Sequence, residues 1–130
     1  MTEPSEARIL LVDDEAHMRR TVRRMLHHLG YSNVEENDGK SVFNKLKLYP
    51  YDLVICDWKM EPHTGIEVLQ FVRADPDLKG LRFIMLTGEV AEALVVEAAK
   101  TGADDYIAKP FSAQTLANKV KRLLEKPSRA

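Results

Sequence analysis

The chain has a single cysteine, Cys56, in 130 residues, so no disulfide can form within it. That cysteine lies inside an apolar run, where it reads as a small buried hydrophobe and not as a redox or metal-binding group. Charge of one sign is also lacking: 19 basic and 20 acidic residues leave a formal net charge of -1. A global attraction to nucleic acid or to an anionic membrane is thereby excluded, and any such partner would need a local patch. No apolar stretch approaches the roughly 18 residues of a membrane span, and the segment Met1 to Ala7 is polar and acidic without a hydrophobic centre. Repeats, low-complexity segments and interdomain linkers are missing too. The length suits one domain that buries about two-thirds of its unfolded surface without staples. A cytoplasmic protein with no membrane partner is expected, and the Met1 start with short polar tails is expected of a natural stand-alone chain.

What is present is a recurrence. Four short apolar runs each end in chemically active residues: Asp13-Asp14 after Ile9-Leu10-Leu11-Val12, Asp57 after Leu53-Val54-Ile55-Cys56, Thr87 after Phe83-Ile84-Met85-Leu86, and Lys109 after Tyr106-Ile107-Ala108. Runs of this kind predict strands buried on both faces, as in a parallel sheet covered by helices. Between them, residues 15 to 29 place Met18, Val22, Met25, Leu26 and Leu29 at helical spacing, with Gly30 as a stop. A weaker strand is predicted around Val34, followed by Asp38 as the cap of a helix that buries Val42, Phe43 and Leu46 before Pro50. Residues Met60 to Gly65 read as loop, and Ile66, Leu69 and Val72 predict a third helix stopped near Asp75-Pro76. A fourth helix is expected from about Glu89 to Lys100, with Ala91, Leu94, Val95 and Ala98 inward and Gly102 closing it. The fifth starts after Ser112 and buries Leu116, Val120 and Leu123. Five strand-helix units imply an α/β doubly wound parallel sheet with right-handed crossovers.

In such a sheet the carboxyl ends of the strands share one edge, and ligands bind outside it where the strand order reverses. Three acids, a hydroxyl and an amine would meet there. Asp13, Asp14 and Asp57 repel one another unless a cation neutralises them, and an all-oxygen donor set that keeps waters suits Mg2+ better than Ca2+. A carboxylate can attack a phosphoryl group and carry it as an acyl phosphate. Mg2+ and the Lys109 ammonium suit the charge on the transferring oxygens, and Thr87 suits a hydrogen bond to another. Each position also has an ordinary use: Asp13-Asp14 or Thr87-Gly88 as helix caps, Asp57 in a turn, Lys109-Pro110 as a strand exit. Four such coincidences at four of five strand ends favour the chemical reading.

Taken together, Val12-Asp13-Asp14-Glu15, Ile55-Cys56-Asp57, Met60 and Gly65 beyond it, Leu86-Thr87-Gly88, and Tyr106 with Lys109-Pro110-Phe111 resemble the receiver domain of bacterial two-component response regulators. The similarity is greatest to the stand-alone, CheY-like form. The resemblance implies a receiver over residues 7–125, with 1–6 and 126–130 as tails, and a flavodoxin-like (βα)5 fold with strand order 2-1-3-4-5. It implies Asp57 as phosphoacceptor and Mg2+ held by Asp14, Asp57 and the Lys59 backbone carbonyl, with Asp13 acting through a water. Lys109 would touch a phosphoryl oxygen, Thr87 would close onto the phosphate, and Tyr106 would swing inward with it, changing the surface of helix four, strand five and helix five. Lys59 and Glu89 occupy positions that tune dephosphorylation, and the bond before Pro110 is expected in cis.

The resemblance further implies a sensor histidine kinase or histidine phosphotransfer protein as donor and a downstream protein target, as in chemotaxis. Direct DNA binding and enzymatic activity beyond the domain's own phosphorylation and dephosphorylation are not expected. A phosphorelay intermediate, or a receiver cut from a larger regulator or hybrid kinase, remains open. A haloacid-dehalogenase-type phosphatase would need an acid where Lys59 stands, and a flavodoxin-like cofactor binder would need a phosphate loop where Asp13-Asp14-Glu15 stands.

Two features depart from the family pattern. Glu61 follows Met60 where proline is usual, and Pro62 comes one residue later. Arg20, Arg23, Arg24 and His27 fall on the outer face of helix one with Arg19 and His28 beside them. That stripe is a solvated face paired with local acids, a docking surface for an acidic partner, or the seat of an anionic ligand such as a nucleotide. Ala93 and Val96 on the outer face of helix four are a second candidate docking spot.

Overall fold

Each apolar run becomes a strand because its residues are apolar on both sides, leaving no face that can be turned to water. The computed structural model describes residues 6–88 and 92–125, and Glu89 and Ala91 lie outside them. In chain order the elements are β1 (Arg8–Val12), α1 (Ala16–His28), β2 (Asn33–Asn37), α2 (Val42–Leu48), β3 (Leu53–Asp57), α3 (Gly65–Ala74), β4 (Arg82–Thr87), α4 (Glu92–Thr101), β5 (Asp105–Ala108) and α5 (Ala113–Glu125). All strand pairs are parallel, and the sheet order is β2-β1-β3-β4-β5. This is the flavodoxin-like order. The chain leaves β1 toward β2 on one side and returns to β3 on the other, so the reversal lies between β1 and β3.

Alternation along the strands divides the core into two layers. Ile9, Leu11, Ile55, Ile84, Leu86 and Ile107 face α1 and α5, where Val22, Leu26, Leu116, Val120 and Leu123 meet them. Leu10, Val12, Val54, Cys56, Phe83 and Met85 face the other side, against Val42, Leu46, Ile66, Leu69 and Val72 of α2 and α3. The side chain of Arg73 fastens the edge remote from the strand ends. Its guanidinium donates to the carbonyls of Gly102, Lys79 and Leu81 and to Asp104, whose carboxylate also accepts from the Phe83 amide.

Three local expectations change. Asp38 does not cap α2: its carboxylate accepts from the Lys40 amide and Asn37 Oδ1 accepts from the Gly39 amide, so both are spent inside the turn, and Ser41 at the N-cap accepts from Asn37 Nδ2 without capping the helix. Leu29 is not inward but 36% exposed, because α1 ends at His28 and Gly30, at φ 98°, turns the chain so that Tyr31 enters the core instead. The loop before α3 hides a capping box, in which Thr64 accepts from the Glu67 amide while the Glu67 carboxylate accepts from the Thr64 amide.

Gly65, the first residue of α3, sits so close to the end of β3 that an added Cβ would lie 2.4 Å from the Asp57 carbonyl oxygen and 2.7 Å from Met85 Sδ. The nearest atom belongs to the backbone and cannot swing away. Gly65→Ala is expected to lower stability by about 2 kcal/mol or more, as overpacking does, seen as a fall in the urea midpoint at unchanged slope.

Candidate functional site

The carboxyl ends of β1, β3 and β4 and the exit from β5 bring the predicted residues together. Asp13 follows β1 directly and its amide still bonds across to the Asn37 carbonyl, so its backbone is held as an extension of the strand. One carboxylate oxygen of Asp13 accepts from the Glu15 amide at 2.9 Å, which fixes the entry to α1. Asp13 therefore does not cap α1, whose N-cap is Glu15 without a side-chain capping bond; it closes the turn ahead of the helix while standing in the acidic cluster. Asp57 ends β3 at 7% exposure, Asp13 is at 3% and Thr87 at 3%, whereas Asp14 faces solvent. One carboxylate oxygen from each of Asp13, Asp14 and Asp57 lies within 4.8 Å of the others.

Lys109 reaches back into this group. Its Nζ donates to Asp57 Oδ1 at 2.8 Å and to Asp13 Oδ2 at 3.4 Å. The Lys109 amide donates to the Thr87 carbonyl at 2.8 Å, tying the β5 exit to the end of β4, and the Lys109–Pro110 peptide is cis as expected. One ammonium serves three carboxylates, and it does not balance them. Burial, aided by the Asp13 and Asp14 charges, raises the Asp57 pKa above the ordinary value despite the Lys109 bond. Burial alone would lower the Lys109 pKa, but its hydrogen bond to Asp57 and the surrounding negative charge raise it. All-oxygen, buried at Asp13 and Asp57 and still short of positive charge, the cluster fits a small hard divalent cation such as Mg2+.

The other predicted residues lie around the rim. Lys59 is exposed just past Asp57, Met60 is buried, and the displaced Pro62 follows a cis peptide after Glu61. Tyr106 is half-buried beside a narrow apolar cavity lined by Trp58, Met85, Thr87, Leu94, Val95 and Ala98. Ala93 and Val96 are exposed on α4. Glu89 falls outside the described residues.

Two contacts had no counterpart in the sequence reading. Arg19 Nη1 donates to the Asp13 carbonyl at 2.6 Å while Nε donates to Glu36, so the basic helix touches the site through its backbone. The position of Arg19, one turn after Glu15, was the available signal. Lys119 stands with its ammonium 4.9 Å over the Tyr106 ring, bonds the Tyr106 carbonyl and pairs with Asp105, which also binds Arg122. Nothing in local sequence pairs strand five with the middle of α5.

An acidic cluster thus stands at the switch point of a parallel sheet of order 2-1-3-4-5, the ligand-binding edge of an open α/β fold. The family model described as response regulator receiver domain matches residues 9–121, and the chain belongs to that family. It is 41% identical over 120 residues to the chemotaxis protein CheY-3 of Vibrio cholerae, covering 92% of each chain. To the chemotaxis protein CheY of Pseudomonas aeruginosa it is 39% identical, over 92% of this chain and 97% of that one. Among solved structures, Vibrio cholerae CheY4 is 32% identical with a TM-score of 0.83, over 90% of this chain and 98% of the other. The receiver domain of a signal transduction histidine kinase from Syntrophus aciditrophicus is also 32% identical, with a TM-score of 0.85 over 95% and 94%. Receiver domains signal by phosphorylation and are not metabolic enzymes.

The raised Asp57 pKa has a consequence for stability. Its protonated form favours the fold, a contribution present in full below the ordinary carboxylate pKa and lost as pH rises through the raised one. At neutral pH without divalent cation, Asp57→Asn is expected to raise the melting midpoint by a few degrees. The difference should shrink on acidification and narrow or reverse with millimolar Mg2+, both readable by differential scanning calorimetry.

Proposed function

We propose that the protein is a single-domain response regulator whose receiver spans residues 7–125, and that Asp57 takes a phosphoryl group from the phosphohistidine of a kinase or phosphotransfer protein. The observation that carries this is the placement of Asp57: a strand-end carboxylate at 7% exposure, within 4.8 Å of the Asp13 and Asp14 oxygens and bonded by Lys109 at 2.8 Å. A carboxylate oxygen of Asp57 attacks phosphorus, an O–P bond forms, and the P–N bond breaks with its electron pair leaving on the imidazole, which is then free to take a proton. Asp14, Asp57 and the Lys59 carbonyl would hold Mg2+ directly, with Asp13 through a water. The bound ion supplies positive charge for the phosphoryl oxygens. Lys109 exchanges its bond to the Asp57 carboxylate for one to a transferred oxygen, so it stays compensated when the acid becomes an ester-like carbonyl.

The acyl phosphate adds about -1.5 to -2 charges beside Thr87. The Thr87 hydroxyl donates to a phosphoryl oxygen, Tyr106 turns toward the cavity that Thr87 borders, and the α4-β5-α5 surface, with Ala93 and Val96 on it, is the face a downstream protein reads. Lys59 and Glu89 tune how long the phosphate lasts. On this reading the protein works in the cytoplasm beside a sensor histidine kinase, with no direct contact to DNA. No helix among the described residues is long and apolar enough to cross a membrane. A second reading, a relay intermediate or a receiver from a larger kinase, draws support from the likeness to a receiver that is itself part of a histidine kinase.

Intact mass after incubation with a small-molecule phosphodonor tests the chemistry. A single phosphoryl adduct is expected with Mg2+, absent without Mg2+ and absent in Asp57→Asn; an adduct that persists in Asp57→Asn would overturn the assignment. Lys109→Met is expected to slow adduct formation by about a hundredfold, the usual scale for losing one charge-stabilising donor. Thr87→Ala and Tyr106→Ala should form the adduct yet lose phosphorylation-dependent changes in amide exchange across α4, β5 and α5.

A further inference from the structure

One ridge of α1 carries charge that neither the fold nor the site uses. Arg20, Arg23, Arg24, His27 and His28 line a depression of about 440 Å3 with Glu36 of β2 on its far side. Glu36 is the one acid there, and it is already shared: Arg19 holds one carboxylate oxygen and Arg23 the other, each at 3.2 Å. The side chains of Arg20, Arg24, His27 and His28 have no hydrogen-bond or ion-pair partner among the described residues. Three arginines against one carboxylate leave at least two positive charges uncompensated on a chain whose net charge is -1.

Helix stability does not account for the arrangement. Arg20 and Arg24 stand four residues apart on the same face and Arg20 and Arg23 three apart, spacings at which like charges repel. The helix dipole favours cations in the last turn, but that effect fades beyond the terminal turn and does not reach Arg20 or Arg24. An anion would offset the repulsion.

The shape and the side-chain types choose among anions. A depression of this size falls in the range of small-molecule sites, and planar guanidinium forks match phosphate oxygens in pairs. A protein partner would want an apolar anchor at the centre, whereas none of the exposed large hydrophobics, Leu29, Leu48, Tyr49 and Val96, lines the depression. We propose that the α1–β2 face binds a compact ligand carrying adjacent phosphates, a nucleoside polyphosphate or free inorganic polyphosphate, with Arg20 and Arg24 as its main contacts and Arg23 sharing itself between the ligand and Glu36. The proposal is independent of the chemistry at Asp57.

The test is isothermal titration calorimetry of the full chain at low ionic strength, without Mg2+ or phosphodonor, using sodium tripolyphosphate, adenosine triphosphate, orthophosphate and a hexaglutamate peptide. Saturable one-site binding of tripolyphosphate or adenosine triphosphate is expected, at least about tenfold tighter than orthophosphate or hexaglutamate, and weakened by salt because exposed charge pairs are screened. Tighter binding of adenosine triphosphate than of tripolyphosphate would mark the nucleoside as part of the ligand; equal binding would mark the phosphate chain as sufficient. Arg20→Ala/Arg24→Ala should weaken binding at least about tenfold with an unchanged circular dichroism spectrum, while Lys121→Ala on α5 should not weaken it. The proposal falls if neither polyphosphate probe saturates, if the folded double variant binds like wild type, or if hexaglutamate binds as tightly as tripolyphosphate, which would make the face a dock for an acidic protein.

Discussion

The structure turns on the crowding of Asp13, Asp14 and Asp57 around the single ammonium of Lys109. Placing two of these acids out of water at the end of a parallel sheet is unfavourable without compensation. Strong backbone placement makes it possible: Asp13 is held to Asn37, Trp58 to the Leu86 carbonyl, and Lys109 to Thr87. The strands are therefore stitched just beyond their formal ends, where the charges sit. The cluster is left in deficit of positive charge, and that deficit is what a cation can make good.

The family and the fold follow from the same economy of residues. The apolar runs are the central strands, and the amphipathic segments between them are the helices that cover both faces. The strand order then aligns the reactive termini at the reversal between β1 and β3. The sequence likeness to chemotaxis proteins from Vibrio cholerae and Pseudomonas aeruginosa extends across nearly the whole chain.

Central strands and site residues were legible in sequence because burial on both faces leaves an unbroken apolar signature that ends abruptly at the chemistry. Strand β2 was legible only at Val34, since its sequence Asn33–Asn37 is mostly polar and it lies at the sheet edge with one neighbour. Turn chemistry was harder to read: Asp38 and Asn37 look like caps but close their own turn, and Thr64 looks like loop but caps α3. The basic stripe was visible as spacing, but its partial neutralisation by Glu36 and the reach of Arg19 to the Asp13 carbonyl depend on the α1–β2 packing. Long-range pairs such as Lys119 with Asp105 carry no local trace.

Arg73 gives α4 a mechanical character. Its guanidinium grips the Gly102 carbonyl and Asp104 just past the last turn of α4, and the same side chain is bound to the Lys79 and Leu81 carbonyls ahead of β4. The far end of α4 is thereby pinned to the rigid edge of the sheet, while the chain from Thr87 leads into its near end. With that end tied to the sheet, any shift of α4 would be smallest beside Gly102 and largest at the end nearest Thr87.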